Sequence, residues 1–196
     1  MKNFTIRDFV QVALVAALYI VLTITPPLNA ISYGAYQFRV SEMLAFLAFY
    51  NRKYIIGLTA GCMIANLYSF GLIDVLVGGS QTFIFLTLGV MLFSRYKDQY
   101  VFNGLFNKAF FYFSLLFAAS MFTIALELYV VADAPFLMTW FTSAVGELAS
   151  LLIGSPFSRK TIRSATSLAK PISCVTIIIV VPLLAIAFIT CKTSPT

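Results

Sequence analysis

The sequence contains little charge. Only 10% of its 196 residues are Asp, Glu, Lys or Arg, whereas 61% are hydrophobic, and in soluble domains roughly a quarter of the residues are charged. This composition excludes a water-soluble domain and indicates an integral membrane protein. The length allows about six or seven spans of roughly 20 residues with short connections. The chemistry of the protein therefore takes place within the membrane.

Histidine is absent, which excludes Ser-His catalysis, His-Glu-x-x-His metal sites and histidine proton relays. The sequence also lacks a Gly-x-x-x-x-Gly-Lys-Ser/Thr phosphate loop, so the chain cannot hydrolyse ATP by itself. Cys62, Cys174 and Cys191 lie in apolar stretches without Cys-x-x-Cys spacing, which indicates neither a disulfide framework nor a metal site. We therefore expect no enzyme activity, no cofactor and no metal ion.

Apolar runs separated by polar or basic connections predict the membrane spans. Pro26 and Pro27 end the first run, so residues 28–36 are predicted to form a loop. We place six spans at about residues 9–25, 37–50, 54–68, 75–94, 109–130 and 135–157, and a seventh apolar run at 172–191.

Small residues at four-residue spacing predict close contacts between helices. Gly57, Gly61 and Ala65 form one such set in the third segment, and Ala13 and Ala17 form another in the first. Both sets predict a face on which another helix packs closely.

The net charge of +6 does not indicate a nucleic-acid-binding protein, because the basic residues lie singly or in pairs at the ends of apolar runs. All 13 Lys and Arg except Arg39 and Lys192 fall at the N-terminus or in the connections after the second, fourth and sixth segments. Cytoplasmic connections carry such an excess of basic residues. We therefore predict a multi-pass protein of the cell membrane with a cytoplasmic N-terminus.

Arg39 is the exception that needs a reason, and it lies three residues before Glu42, so the two would share one helix face. A charged side chain among lipids costs at least a few kcal/mol, so such residues usually face a protein interior or a wet cavity. One interpretation is a functional site; the alternative is a structural ion pair that holds two helices together.

Further polar residues fall toward the external ends of the segments and predict a cup that opens to the outside. Three embedded carboxylates and one arginine provide more acceptors than donors, so they favour a ligand with several N–H groups, such as a guanine-like edge. The side-chain amides could bind a ligand carbonyl, and the aromatic side chains could stack on a ligand ring. Proton-coupled transporters also use buried glutamates, so the carboxylates alone do not decide. Asp74 is expected to belong to the rim. The candidate ligand-binding residues are Arg39, Glu42, Asn66, Gln81, Glu127, Trp140, Glu147 and Tyr33.

Four short motifs together resemble the QueT family, whose members are queuosine-precursor substrate-binding (S) components of energy-coupling factor (ECF) transporters. The motifs are Gln37-Phe38-Arg39-Val40-Ser41-Glu42, Ile55-Ile56-Gly57-Leu58-Thr59-Ala60-Gly61-Cys62, Ile64-Ala65-Asn66-Leu67 and Ala144-Val145-Gly146-Glu147. The resemblance covers about residues 5–160, and its second and third segments are the most specific part.

The resemblance implies an all-α membrane bundle of six transmembrane helices that captures a 7-deazaguanine such as preQ0 or preQ1. It also implies docking onto one transmembrane coupling protein and two cytoplasmic ATPases, with Ala13 and Ala17 matching the motif that faces the coupling protein. We expect this domain to span residues 1–165. Residues 166–196 depart from the family pattern as a C-terminal hydrophobic extension, because a seventh span would put Lys192 outside.

Two other functions remain possible at this point. One is a self-sufficient ion-coupled carrier of small molecules, and the other is an S component for a different vitamin-like ligand. A membrane enzyme or a structural subunit is disfavoured, because the sequence lacks histidine, a metal cluster and a Ser-Lys pair at helical spacing.

Overall fold

The computed structural model describes residues 5–32, 37–69, 71–97, 99–101 and 106–167. The chain divides into two compact units, Met1–Pro156 and Phe157–Thr196. The described helices are α1 (Ile6–Ile24), α2 (Pro26–Ser32), the 3-10 helix η1 (Val40–Phe49), α3 (Lys53–Ser69), α4 (Leu72–Phe93), the short 3-10 helix η2 (Ser94–Tyr96), α5 (Lys108–Ser120), α6 (Phe122–Ala132) and α7 (Phe136–Ser167). Between η2 and α5, strands β1 (Tyr100–Val101) and β2 (Phe106–Asn107) pair in antiparallel fashion.

The all-α prediction is confirmed for the described residues, apart from this two-residue hairpin. Four stretches are long and apolar enough to cross a membrane: Ile6–Ile24, Leu72–Tyr96, Lys108–Ala132 and Phe136–Ser155. The other two predicted spans correspond to shorter elements, α3 with 17 residues and η1 with 10. The count of six spans and the division at residue 165 therefore stay predictions, and the apolar run 172–191 lies outside the described residues.

One detail of the predicted segments was wrong. Residues 28–32 belong to helix α2, not to a loop, because Pro26 occupies a first helical position, where the missing N–H costs no hydrogen bond. The fifth predicted segment corresponds to the apolar stretch Lys108–Ala132, which Met121, at φ −61° and ψ −7°, divides into α5 and α6. The helix after this break, α6, carries Glu127.

Close packing of α1 against α3 aligns two helices that run in the same direction. A Cβ atom added to Gly57 would lie 2.7 Å from the carbonyl oxygen of Val12, and one added to Gly61 would lie 3.0 Å from that of Ala16. Only glycine allows the two backbones to approach this closely. The packing face predicted from Gly57, Gly61 and Ala65 is therefore confirmed.

Polar contacts join the same two helices near their first turns. The Lys53 ammonium lies 2.6 Å from a carboxylate oxygen of Asp8 and donates to the side-chain oxygen of Gln11 at 2.5 Å. Asp8 also caps α1 together with Thr5, in a reciprocal capping box. These contacts fix the starts of α1 and α3 side by side, so their last turns lie together at the opposite end of the bundle.

The second predicted segment is a ten-residue 3-10 helix that lies inside the bundle. Residues 41–42 and 44–49 of η1 are all buried. Its Phe46 ring stacks on Phe110 of α5 with centroids 4.4 Å apart, and its Phe49 ring meets Phe113 edge-on at 5.3 Å. With a rise of about 2 Å per residue, η1 is roughly 20 Å long. It therefore reaches from the start of α5 to the charged end of the bundle.

Candidate functional site

Charged side chains are buried together at the end of the bundle where α1 and α3 finish and where η1 and α4 begin. Arg39 precedes η1, Glu42 lies in its first turn and Asp74 lies in the first turn of α4. Glu147 on α7 is 1% exposed, and Glu127 on α6 is half-buried. Burial of so many ionisable groups in a membrane protein marks a functional site by default.

Arg39 lies close enough to act electrostatically on all four acids. The acids in turn interact in two pairs, Glu42 with Glu147 and Asp74 with Glu127. The structure thus brings together the four charged residues that the sequence singled out. It also adds Asp74, which we had expected at the rim and which is only 6% exposed.

Glu42 is held by α1. The buried Tyr19 hydroxyl donates a hydrogen bond to the Glu42 carboxylate. One turn further along α1, the Thr23 hydroxyl lies 2.8 Å from both the Tyr19 carbonyl oxygen and the Ser41 hydroxyl. Sequence reasoning missed these three partners, although Tyr19 and Thr23 are polar groups four residues apart in a mainly apolar span, which is a usable signal.

The two candidate amides make hydrogen bonds between or near helix ends. The Asn66 amide nitrogen donates to the Asp74 carbonyl oxygen at 3.2 Å, across the turn from α3 to α4. The Gln81 amide nitrogen donates to the Ser120 hydroxyl at 2.7 Å, where α5 ends. Both side chains are buried. Their expected contact with a ligand carbonyl stays a prediction.

The two candidate aromatic residues differ in what is known of them. Trp140 is 37% exposed, stacks on Phe136 at 6.3 Å and donates its indole N–H to the Ala119 carbonyl oxygen at 3.3 Å. Its expected stacking on a ligand stays a prediction. Tyr33 lies outside the described residues, so its stacking role stays a prediction.

Three acid oxygens in this region have no hydrogen-bond partner among the described residues, although they are buried: Oε1 of Glu147, Oε2 of Glu127 and Oδ2 of Asp74. An unsatisfied buried acceptor costs about 1–3 kcal/mol, and more when it is charged. These oxygens are therefore the groups that a ligand rich in N–H donors would satisfy. Within the described residues, no set of three or more Cys, Asp or Glu side chains is arranged to hold a metal ion.

Ala13 and Ala17 lie on the outer side of α1. Both are exposed, whereas Val15, Leu18 and Tyr19 of the same helix are buried in the bundle. Larger side chains of α1, Val10, Leu14 and Val21, are exposed as well. The partner expected there stays a prediction.

These features define a multi-pass membrane protein with a buried charged site at one end of its helix bundle. The chain matches the QueT transporter family over residues 9–164, and it belongs to that family. It is 61% identical over 155 residues to the queuosine precursor transporter QueT of Lactococcus lactis subsp. cremoris, an alignment that covers 79% of this chain and 92% of that relative. No solved structure matches the chain significantly. The family resemblance inferred from the short motifs is thereby confirmed.

Proposed function

We propose that this chain is the substrate-binding membrane subunit of an ECF-type importer and that it captures a queuosine precursor, a 7-deazaguanine such as preQ1 or preQ0. Membership of the QueT transporter family and the name of the Lactococcus relative support the ligand class. The observation that carries the proposal is the buried acid cluster around Arg39, whose oxygens on Glu127 and Glu147 lack partners among the described residues.

Glu147 is the acid best suited to the guanine edge of the ligand. A guanine edge presents a ring N–H and an amino group side by side, and one carboxylate accepts from both. Glu42 already accepts from Tyr19, whereas Glu147 is 1% exposed and keeps a free oxygen within the described part of the chain. Arg39 balances part of the negative charge of both acids. Asn66, Gln81, Trp140 and Tyr33 complete the proposed lining.

Energy for uptake must come from an ion gradient or from partner proteins, because the chain has no phosphate loop. We propose that a transmembrane coupling protein and two cytoplasmic ATPases supply it. The exposed Ala13 and Ala17 on α1 form the proposed docking face, since small side chains let another helix approach closely. The proposed cytoplasmic N-terminus puts the charged site at the outer end of the bundle, where it would meet the ligand first.

Calorimetry on the purified protein, with preQ1 and preQ0 and without nucleotide, tests the proposal. We expect tight binding of at least one of them. Glu147→Gln should weaken it by about 1.5–3 kcal/mol, roughly tenfold or more, because an amide donor replaces a carboxylate acceptor. Asp133→Asn is the matched control, since Asp133 is an exposed acid between α6 and α7. Its left-handed backbone, φ 51°, also suits asparagine.

The outcomes separate the alternatives. A folded protein that binds no deazaguanine would refute the ligand, and identification of a different small molecule retained through purification would point to another vitamin-like substrate. Uptake into liposomes by this chain alone, driven by a proton gradient, would support an ion-coupled carrier instead. If Glu147→Gln binds as tightly as Asp133→Asn, Glu147 is not part of the site.

A further inference from the structure

Asp74 and Glu127 form an acid pair distinct from the one that contains Glu147. Their carboxyl groups lie within hydrogen-bonding reach of each other, across the contact between α4 and α6. Oδ2 of Asp74 and Oε2 of Glu127 are buried and have no partner among the described residues. Asp74 itself is only 6% exposed. The two carboxyl groups, one buried and one half-buried, therefore lie together, and each keeps an oxygen without a partner among the described residues.

Such a pair either shares a proton or calls for a positive partner. Adjacent carboxylates repel each other unless a proton or a cation lies between them. Arg39 acts on this pair but also on Glu42 and Glu147, so one positive charge is shared among four acids. A cationic ligand would supply the charge that the cluster lacks. A primary ammonium suits the place best, because its three N–H donors can satisfy both carboxylates at once.

We propose that Asp74 and Glu127 bind the protonated primary amine on the 7-substituent of the deazaguanine, and so select an aminomethyl ligand over a nitrile. This inference rests on the proposed function, because it assumes that a 7-deazaguanine occupies the site. The aminomethyl group of preQ1 is a cation and a donor. The nitrile of preQ0 is neutral and an acceptor, so it would face acceptor oxygens. Glu147 binds the guanine edge that preQ1 and preQ0 share, whereas Asp74 and Glu127 bind the 7-substituent in which the two ligands differ.

The test measures the dissociation constants of preQ1, preQ0 and the neutral 7-methyl-7-deazaguanine for the full chain and for Asp74→Asn, Glu127→Gln and Asp133→Asn. A charge-assisted hydrogen bond makes preQ1 at least about tenfold tighter than either neutral ligand in the unmodified protein. The ratio of preQ1 to preQ0 affinity should fall about tenfold in Asp74→Asn and in Glu127→Gln, and should stay unchanged in Asp133→Asn.

Each other result overturns the inference in a recognisable way. Equal or tighter binding of preQ0 by the unmodified protein refutes the selection and leaves the proposed function intact. A loss of all three ligands by the same factor in both variants means that the pair shapes the site without reading the substituent. If Asp74→Asn does not fold, the half-buried Glu127 provides the deciding variant. Failure of the unmodified protein to bind any of the three refutes the proposed function itself.

Discussion

Replacing Tyr19 with phenylalanine isolates the hydrogen bond that holds Glu42. The hydroxyl lies in the interior, since Tyr19 is 1% exposed and Glu42 is 3% exposed, and it donates directly to the carboxylate. The phenyl ring stays, so the apolar area that is buried hardly changes. The change leaves a buried carboxylate oxygen without its donor, which costs about 1.5–3 kcal/mol. For a chain of about 200 residues this lowers Tm by roughly 3–12 °C.

Thermal unfolding in detergent measures this cost, with Tyr68→Phe as the matched control. Tyr68 is 73% exposed on α3, so loss of its hydroxyl should change Tm by less than about 1 °C. A double-mutant cycle with Glu42→Gln then assigns the effect to the pair. The amide oxygen of glutamine still accepts a hydrogen bond but carries no charge, so the coupling should be about 1 kcal/mol, the difference between charged and neutral acceptors.

Two results would contradict the reasoning. If Tyr19→Phe melts at the same temperature as Tyr68→Phe, the hydroxyl contributes nothing measurable to stability. If the effects of Tyr19→Phe and Glu42→Gln add without coupling, the loss comes from packing and not from the hydrogen bond. In either case α1 does not hold Glu42 in the charged cluster.

Two further changes test the packing and the docking face. Gly61→Ala should cost about 1–3 kcal/mol in thermal unfolding, because the new Cβ meets the Tyr19 Cβ at 2.9 Å and a carbonyl oxygen of α1 at 3.0 Å. Ala13→Ser is the control, since it adds one heavy atom at an exposed position of α1, and an equal loss in both would contradict the prediction. Ala17→Trp should keep preQ1 binding in the purified protein and abolish uptake in cells that contain the partner proteins, whereas Leu92→Trp on the exposed side of α4 should affect neither. Lost binding in Ala17→Trp would place this face at the ligand site.

The sequence predicts the charged cluster well because the physics of charge in a membrane is severe. Few ionisable groups are tolerated among lipids, so Arg39, Glu42 and Glu147 stand out in apolar runs, and all three are buried together in the bundle. The packing of α3 can also be predicted from the sequence, since Gly57 and Gly61 are four residues apart and therefore lie on one helix face. In both cases a local sequence pattern is enough. A charge exposed to lipid, or a glycine face without a packed helix, is unfavourable whichever other segments of the chain lie nearby.

The sequence fails where the partner of a group is distant along the chain. From the sequence alone, Tyr19 is interpreted as an aromatic residue of an apolar span, because the acceptor of its hydroxyl, Glu42, lies 23 residues away in the chain. Asp74 is predicted to lie at the rim of the cup, because it follows a predicted turn and charged residues commonly lie at the ends of membrane spans. The amide of Asn66 binds the carbonyl of Asp74 and so draws the first turn of α4 against α3, which carries the carboxyl group inward. A pattern within one segment does not contain this information.

The sequence does contain a local signal for the 3-10 geometry of η1, and this geometry explains how η1 packs in the bundle. Residues 44–49 read Leu-Ala-Phe-Leu-Ala-Phe, a period of three that matches the three residues per turn of a 3-10 helix, where side chains at i and i+3 are eclipsed. Phe46 and Phe49 thus share the row that meets α5. In an α-helix, each step of three residues would turn that row by about 60°. Arg39 precedes η1 in an extended backbone conformation, and its carbonyl oxygen accepts a hydrogen bond from the Glu42 N–H at 3.2 Å. A 3-10 helix of this length is uncommon, and its burial by neighbouring helices is what allows such backbone at membrane depth.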